Sequence, residues 1–124
     1  MGKRAVKTVL VCEDDDSLRE LIRASLGSGF RVHEAADYET AVAIAEANRP
    51  DLVLLDLVLE GRSGFDVLSA LRGDPRTAAT PVLVISASND VDAHALAAGA
   101  DRFLAKPFDP DLLRRIALEM LEAR

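Results

Sequence analysis

The chain has no tryptophan, one tyrosine and one cysteine among its 124 residues. A single cysteine cannot form an internal disulfide, so stability has to come from a packed core. That residue, Cys12, ends the apolar run Val9-Leu10-Val11-Cys12 and reads as a small buried hydrophobe rather than a reactive thiol. No apolar run approaches the ~20 residues that span a membrane. The basic start, Met1-Gly2-Lys3-Arg4-Ala5-Val6, is not followed by a long apolar stretch and is no secretory signal. Val6 stands where a myristoylated Gly2 would require Ser or Thr. Positive charge is also short: 15 Lys and Arg against 21 Asp and Glu leave a net charge of −6. That balance argues against a nucleic-acid surface in this chain. The expectation is a cytoplasmic protein with no direct nucleic-acid partner and no membrane association. No glycine-rich loop follows the first apolar run, which removes the usual nucleotide-binding fingerprint. Repeats, low-complexity stretches and long linkers are absent, and the length suits one domain over residues 1–124.

What is present is a strict alternation of strand and helix patterns. The first strand runs from Thr8 to Cys12. Asp15 or Asp16 caps the first helix, which places Leu18, Leu21, Ile22, Ser25 and Leu26 on one face and stops at Gly27-Ser28-Gly29. The second strand, Phe30 to Ala35, mixes Arg31 and His33 with Phe30 and Val32, as a half-exposed edge strand does. Asp37 caps a helix striped by Tyr38, Ala41, Val42 and Ala45, ended by Asn48-Arg49-Pro50. The third strand is Leu52 to Asp56, with Gly61 and Gly64 in the loop after it. A helix over about Gly64 to Leu71 buries Phe65, Leu68 and Leu71. The fourth strand is Val82 to Ser86; Asn89 or Asp90 caps the next helix and Gly99 closes it. The fifth strand is Arg102 to Ala105, and the last helix, after Asp109, carries Leu112, Leu113, Ile116, Met120 and Leu121 inward.

Near-continuous apolar runs suit parallel strands covered on both faces. Five strand–helix units then give an α/β protein with right-handed crossovers and an open, doubly wound parallel sheet. In such sheets ligands bind outside the carboxyl ends of the strands. Each apolar run here ends on chemistry: Glu13-Asp14, Asp56, Ser86 and Lys106-Pro107. Like-charged carboxylates ~4 Å apart repel by about 4 kcal/mol per pair at an effective dielectric of ~20. Such a cluster needs a proton, a lysine or a cation. All-oxygen donors favour a hard divalent ion, Mg²⁺ before Ca²⁺. Zinc is disfavoured because His33 and His94 lie away from the strand ends. A cation and Lys106 would make a positive wall for a phosphoryl group, to which Ser86 could donate a hydrogen bond. Asp56, central in the sheet, is the candidate nucleophile for an aspartyl phosphate.

Four segments carry a resemblance to a known family. They are Val9-Leu10-Val11-Cys12-Glu13-Asp14-Asp15, Asp56-Leu57-Val58-Leu59-Glu60-Gly61-Arg62-Ser63-Gly64, Pro81-Val82-Leu83-Val84-Ile85-Ser86-Ala87 and Phe103-Leu104-Ala105-Lys106-Pro107-Phe108. Together, over about residues 6–122, the chain resembles the receiver domain of bacterial response regulators, the chemotaxis-regulator-like part of two-component systems. The resemblance implies a flavodoxin-like (βα)5 fold with strand order 2-1-3-4-5. It implies that Asp56 accepts a phosphoryl group from a sensor histidine kinase or phosphotransfer protein, without the chain being an enzyme beyond assisting its own phosphorylation and dephosphorylation. Glu13, Asp14, Asp56 and the Val58 backbone carbonyl would hold Mg²⁺. Lys106, Ser86 and the Ala87 backbone would meet the phosphoryl oxygens. Ser86 and Phe103 would switch the face of helix 4, strand 5 and helix 5 toward a downstream protein target. The Lys106-Pro107 bond is expected to be cis. Departures from the common pattern are Glu13 for Asp, Ser86 for Thr, Glu60 for Pro and Phe103 for Tyr; none removes a required group.

The competing reading is an aspartate-nucleophile phosphatase or phosphotransferase on a similar sheet. Such enzymes place a second acid two residues beyond the nucleophile, where this chain has Val58. A stand-alone receiver and one cut from a larger regulator would share this sequence.

Overall fold

The apolar runs of the strands are divided by strand alternation between two packing layers. The computed structural model describes residues 6–59, 62–87 and 92–122. Its strands are β1 (Lys7–Cys12), β2 (Phe30–Ala35), β3 (Leu52–Asp56), β4 (Val82–Ser86) and β5 (Arg102–Ala105). Between and after them lie α1 (Asp16–Leu26), α2 (Tyr38–Asn48), α3 (Gly64–Gly73), α4 (Asp92–Ala97) and α5 (Pro110–Glu122). The strands form one parallel sheet in the order β2-β1-β3-β4-β5, so β2 is an edge as its mixed polarity requires. Glu60, Gly61 and the proposed caps Asn89 and Asp90 lie outside the described residues.

Successive side chains of a strand point to opposite faces. Leu10, Cys12, Val53, Leu55, Val82 and Val84 accordingly pack with Ala41 and Ala45 of α2, Val67, Leu68 and Leu71 of α3, and Ala95 of α4. Val9, Val11, Leu52, Leu54, Leu83 and Ile85 pack with Ile22 and Leu26 of α1 and Leu113, Ile116, Ala117, Met120 and Leu121 of α5. The central strands β1, β3 and β4 are thus buried on both sides, and Cys12 is interior as its run suggests.

The helix starts are set by side-chain caps. Asp15, not Asp16, caps α1 by accepting from the Leu18 N–H at 2.8 Å. Asp37 caps α2 through the Thr40 N–H at 2.8 Å, and Ser63 caps α3 through the Phe65 N–H at 3.0 Å. Each such cap is worth ~1 kcal/mol. At the amino edge of the sheet, Arg72 donates to the carbonyls of Gly99 (2.9 Å) and Thr80 (2.6 Å) and pairs with Asp101 (3.0 Å). Asp101 in turn accepts from the Val82 N–H at 2.8 Å, which locks α3, β4 and β5 at the end opposite the strand-end acids.

Two side-chain expectations need correction. Leu21, placed on the buried face of α1, is 45% exposed, because α1 packs through Ile22 and Leu26, with Leu18 half-buried beside them. The inner face of α3 is carried by Val67, Leu68 and Leu71, while Phe65 is only half-buried.

Gly64 has a role the sequence only hints at. A Cβ on Gly64 would lie 2.4 Å from the Asp56 carbonyl oxygen and 2.6 Å from the Leu57 Cα. Its N–H also donates to the Leu57 carbonyl at 2.8 Å. The first turn of α3 is therefore pressed against the end of β3. Gly64→Ala should cost ~2 kcal/mol or more, as overpacking against rigid backbone does. Gly73→Ala, with nothing within 4 Å of the added atom, should cost nothing or stabilise slightly. Urea unfolding of the two variants checks the contrast.

Candidate functional site

The carboxyl ends of β1, β3 and β5 deliver three charged groups to one side of the sheet. By alternation Glu13 follows Val11, Asp56 follows Leu54 and Lys106 follows Leu104, all on the α1–α5 side. Backbone bonds extend the ladder past the strand ends: the Glu13 N–H donates to the Ala35 carbonyl at 3.0 Å, and the Lys106 N–H to the Ser86 carbonyl at 2.8 Å. The Lys106-Pro107 bond is cis, as the resemblance implies.

Glu13 and Asp56 are buried, at 2% and 4% exposure. Lys106 Nζ donates to Glu13 Oε1 at 3.2 Å and forms a close ion pair with Asp56 Oδ2. The other oxygens are met by backbone: the Val58 N–H donates to Asp56 Oδ1 at 2.9 Å and the Asp15 N–H to Glu13 Oε2 at 3.1 Å. Two carboxylates therefore share one ammonium. Burial, and then the hydrogen bond to the Asp56 carboxyl, push the Glu13 pKa up to about 7. Burial works to lower the Lys106 pKa, but the hydrogen bonds and charges of Asp56 and Glu13 outweigh it, and the net direction is upward.

The remaining residues separate into three groups. Asp14 and Ala87 are solvent-exposed beside the pocket, and Val58 is 70% exposed. Ser86 is buried at the end of β4 and by alternation follows Val84 onto the α3–α4 side. Phe103, opposite Val84 across the β4–β5 ladder, is half-buried against that same layer. His33 is half-buried on the β2 edge and His94 exposed on α4, both outside the cluster. Sequence reasoning missed Arg19, which donates to the Glu13 carbonyl at 2.8 Å. Its place one turn into α1 was the only signal.

The donor set fits a hard cation: every side-chain donor is a carboxylate oxygen, and one lysine leaves the acids negative in surplus. Among the described residues no three acids converge as they stand; Glu13 and Asp56 meet, and Lys106 pairs with both. An ion entering there would have to take over part of what Lys106 neutralises. An apolar groove of about 320 Å³, lined by Leu18, Leu21, Ala87, Lys106, Pro107 and Phe108, opens beside this lysine. A larger groove of about 680 Å³, between Lys7, Phe30 and Leu121, lies at the far end of the sheet, away from the acids.

Chains of this fold include relatives of known family. Residues 9–118 match the response regulator receiver domain family. The chain is 40% identical over 112 residues to the DNA-binding response regulator MtrA of Mycobacterium tuberculosis, covering 87% of this chain and 48% of that protein. A putative response regulator from Chloroflexus aurantiacus superimposes with a TM-score of 0.91 at 32% identity, covering 97% of this chain and all of the other. The receiver domain of sensor histidine kinase PA1611 from Pseudomonas aeruginosa, solved with magnesium in its active-site cleft, gives 0.87 at 31% identity, covering 95% and 99%. The chain belongs to the response regulator receiver family, a signalling domain of two-component systems. It spans about half the length of the curated relatives it matches.

The expectation of no nucleic-acid partner is corrected by these relatives, since MtrA is a DNA-binding regulator. The charge of −6 describes this chain alone and carries no information on the other half of a protein such as MtrA. For the membrane expectation, no helix among the described residues is long and apolar enough to cross a bilayer.

The raised Glu13 pKa has a pH signature. A carboxyl raised from 4.5 to about 7 on folding favours the folded state below its unfolded value. That contribution is lost as pH climbs through about 7. Glu13→Gln, which keeps a donor toward Asp56 at every pH, should stabilise the metal-free protein at pH 8 by on the order of 1 kcal/mol or more. At pH 4 the variant and the parent should melt alike. Thermal melts in EDTA across this range check the sign.

Proposed function

We propose that this receiver domain is a phosphoacceptor switch in which Asp56 takes a phosphoryl group from a phosphohistidine of a sensor kinase or phosphotransfer protein. The observation that carries the reading is the convergence of buried Asp56, buried Glu13 and Lys106 at the carboxyl end of the central strand. An Asp56 carboxylate oxygen attacks phosphorus, the P–N bond breaks, and the imidazole leaves with the electron pair and takes up a proton. The Val58 N–H on Oδ1 holds the carboxylate in place for attack. Lys106 transfers its pairing from the carboxylate to the phosphoryl oxygens, in chemistry that rests on positioning and charge neutralisation. Glu13, Asp14, Asp56 and the Val58 carbonyl would hold Mg²⁺, which when bound neutralises the acids and the incoming phosphoryl charge. The magnesium of the PA1611 receiver supports that reading.

The Ser86 hydroxyl and the Ala87 N–H would bind the phosphoryl oxygens, and Phe103 would move inward behind Ser86. This local charge event biases a two-state element and so changes the α4–β5–α5 surface. The apolar groove beside Lys106 gives the phosphohistidine carrier a surface to approach over. Phosphotransfer of this kind operates in the cytoplasm, and in a longer protein the switched face would act on an effector such as the DNA-binding part of MtrA. The phosphatase reading lacks its second acid, since Val58 is an exposed apolar residue.

A small acyl phosphate with Mg²⁺ should add one phosphoryl group per chain by intact mass. EDTA or Asp56→Asn should abolish the gain. Absence of any Mg²⁺-dependent acyl phosphate with every donor tried would overturn the proposal. So would turnover of many phosphomonoesters per chain.

A further inference from the structure

The run Glu13-Asp14-Asp15-Asp16 places four acids in sequence leading into α1, and the Glu13 carbonyl is held by one side chain. Arg19, in α1, spends its fork on three acceptors. Nη1 donates to the Glu13 carbonyl at 2.8 Å, Nη2 to Asp16 Oδ1 at 2.5 Å and Nε to Glu34 Oε1 at 2.9 Å. Glu34 belongs to β2 and is itself held by Arg23 at 2.5 Å. The Arg19 side chain is 17% exposed, against 54% for Arg23. Arg23–Glu34 is thus a surface pair of small worth, and Arg19 is the inner member of the cluster.

The geometry assigns Arg19 as a positioning residue for the acidic pair Glu13–Asp14; the assignment rests on reading this pair as the cation-binding part of a phosphoacceptor site. The carbonyl of Glu13 and the N–H of Asp14 share one rigid peptide plane. Residue 13 is already fixed on its amino side by the bond from its N–H to Ala35. Holding its carbonyl as well sets the direction in which Asp14 leaves the strand. The guanidinium does this from the backbone side and leaves the Glu13 carboxylate oxygens to Lys106 and the Asp15 N–H. Lys106 does the opposite, engaging the Glu13 and Asp56 oxygens directly. A lysine at position 19 would supply the charge but not the fork that reaches carbonyl and two carboxylates together.

Calorimetric Mg²⁺ titration of the full chain, with melting temperature measured alongside, tests this. Arg19→Lys and Arg19→Ala should each weaken Mg²⁺ binding by roughly tenfold or more, the usual effect of losing a partner that orients a ligand. Glu34→Gln, which frees the guanidinium without touching the acidic loop, should weaken it by a smaller factor. Adding Glu34→Gln to Arg19→Ala should bring no further loss. If Arg19→Ala fails to fold, Arg19→Lys and Glu34→Gln decide the matter. A lowered melting temperature with unchanged Mg²⁺ affinity in the folded variants would overturn the assignment and leave Arg19 a purely structural residue. Failure of the parent chain to bind Mg²⁺ at all would instead overturn the reading of the site.

Discussion

One ammonium shared by two buried carboxylates is the interaction on which the site depends. Lys106 lies 93 residues from Glu13 and 50 from Asp56 in the chain, yet touches both. Only a parallel sheet in fixed register brings these three strand ends together, and the continuous apolar runs of β1, β3 and β4 make that register rigid. The pair of acids outnumbers its counter-ion. Burial, and then the Asp56 carboxyl, raise the Glu13 pKa, so a proton can take up that surplus in the absence of metal. A cation or a phosphoryl group entering beside Lys106 would act on the same imbalance.

Strand parity gives the site a second property. Glu13, Asp56 and Lys106 share the α1–α5 side, while Ser86 and Phe103 fall on the α3–α4 side. Under the proposed switch, a change in charge at Asp56 would be sensed one strand away, on the other face of the sheet. The α1 side carries the apolar groove beside Lys106. Gly64 belongs to the same design, because it lets α3 start directly against the backbone of Asp56.

Much of this was legible in the residues. Runs such as Leu52–Leu55 and Val82–Ile85 show buried parallel strands, Arg31 and His33 mark β2 as an edge, and the polar residue after each run locates the site. What escaped was tertiary. Leu21 has the helical spacing of a core residue, but its exposure depends on how α1 sits against α5. Arg19 and Arg72 look like ordinary helix-surface arginines until the carbonyls of Glu13, Gly99 and Thr80 come within reach. The nucleic-acid expectation failed for a different reason. Net charge reports on the segment in hand, and relatives such as MtrA are about twice as long.

Carboxyl carbon NMR of Glu13 tests the charge imbalance at the strand ends most directly. In metal-free protein the Glu13 carboxyl should titrate at about 7, well above its ordinary 4.5. Saturating Mg²⁺ should lower that value, because a cation favours the ionised form. An ordinary titration near 4.5 without metal, unmoved by Mg²⁺, would contradict the account.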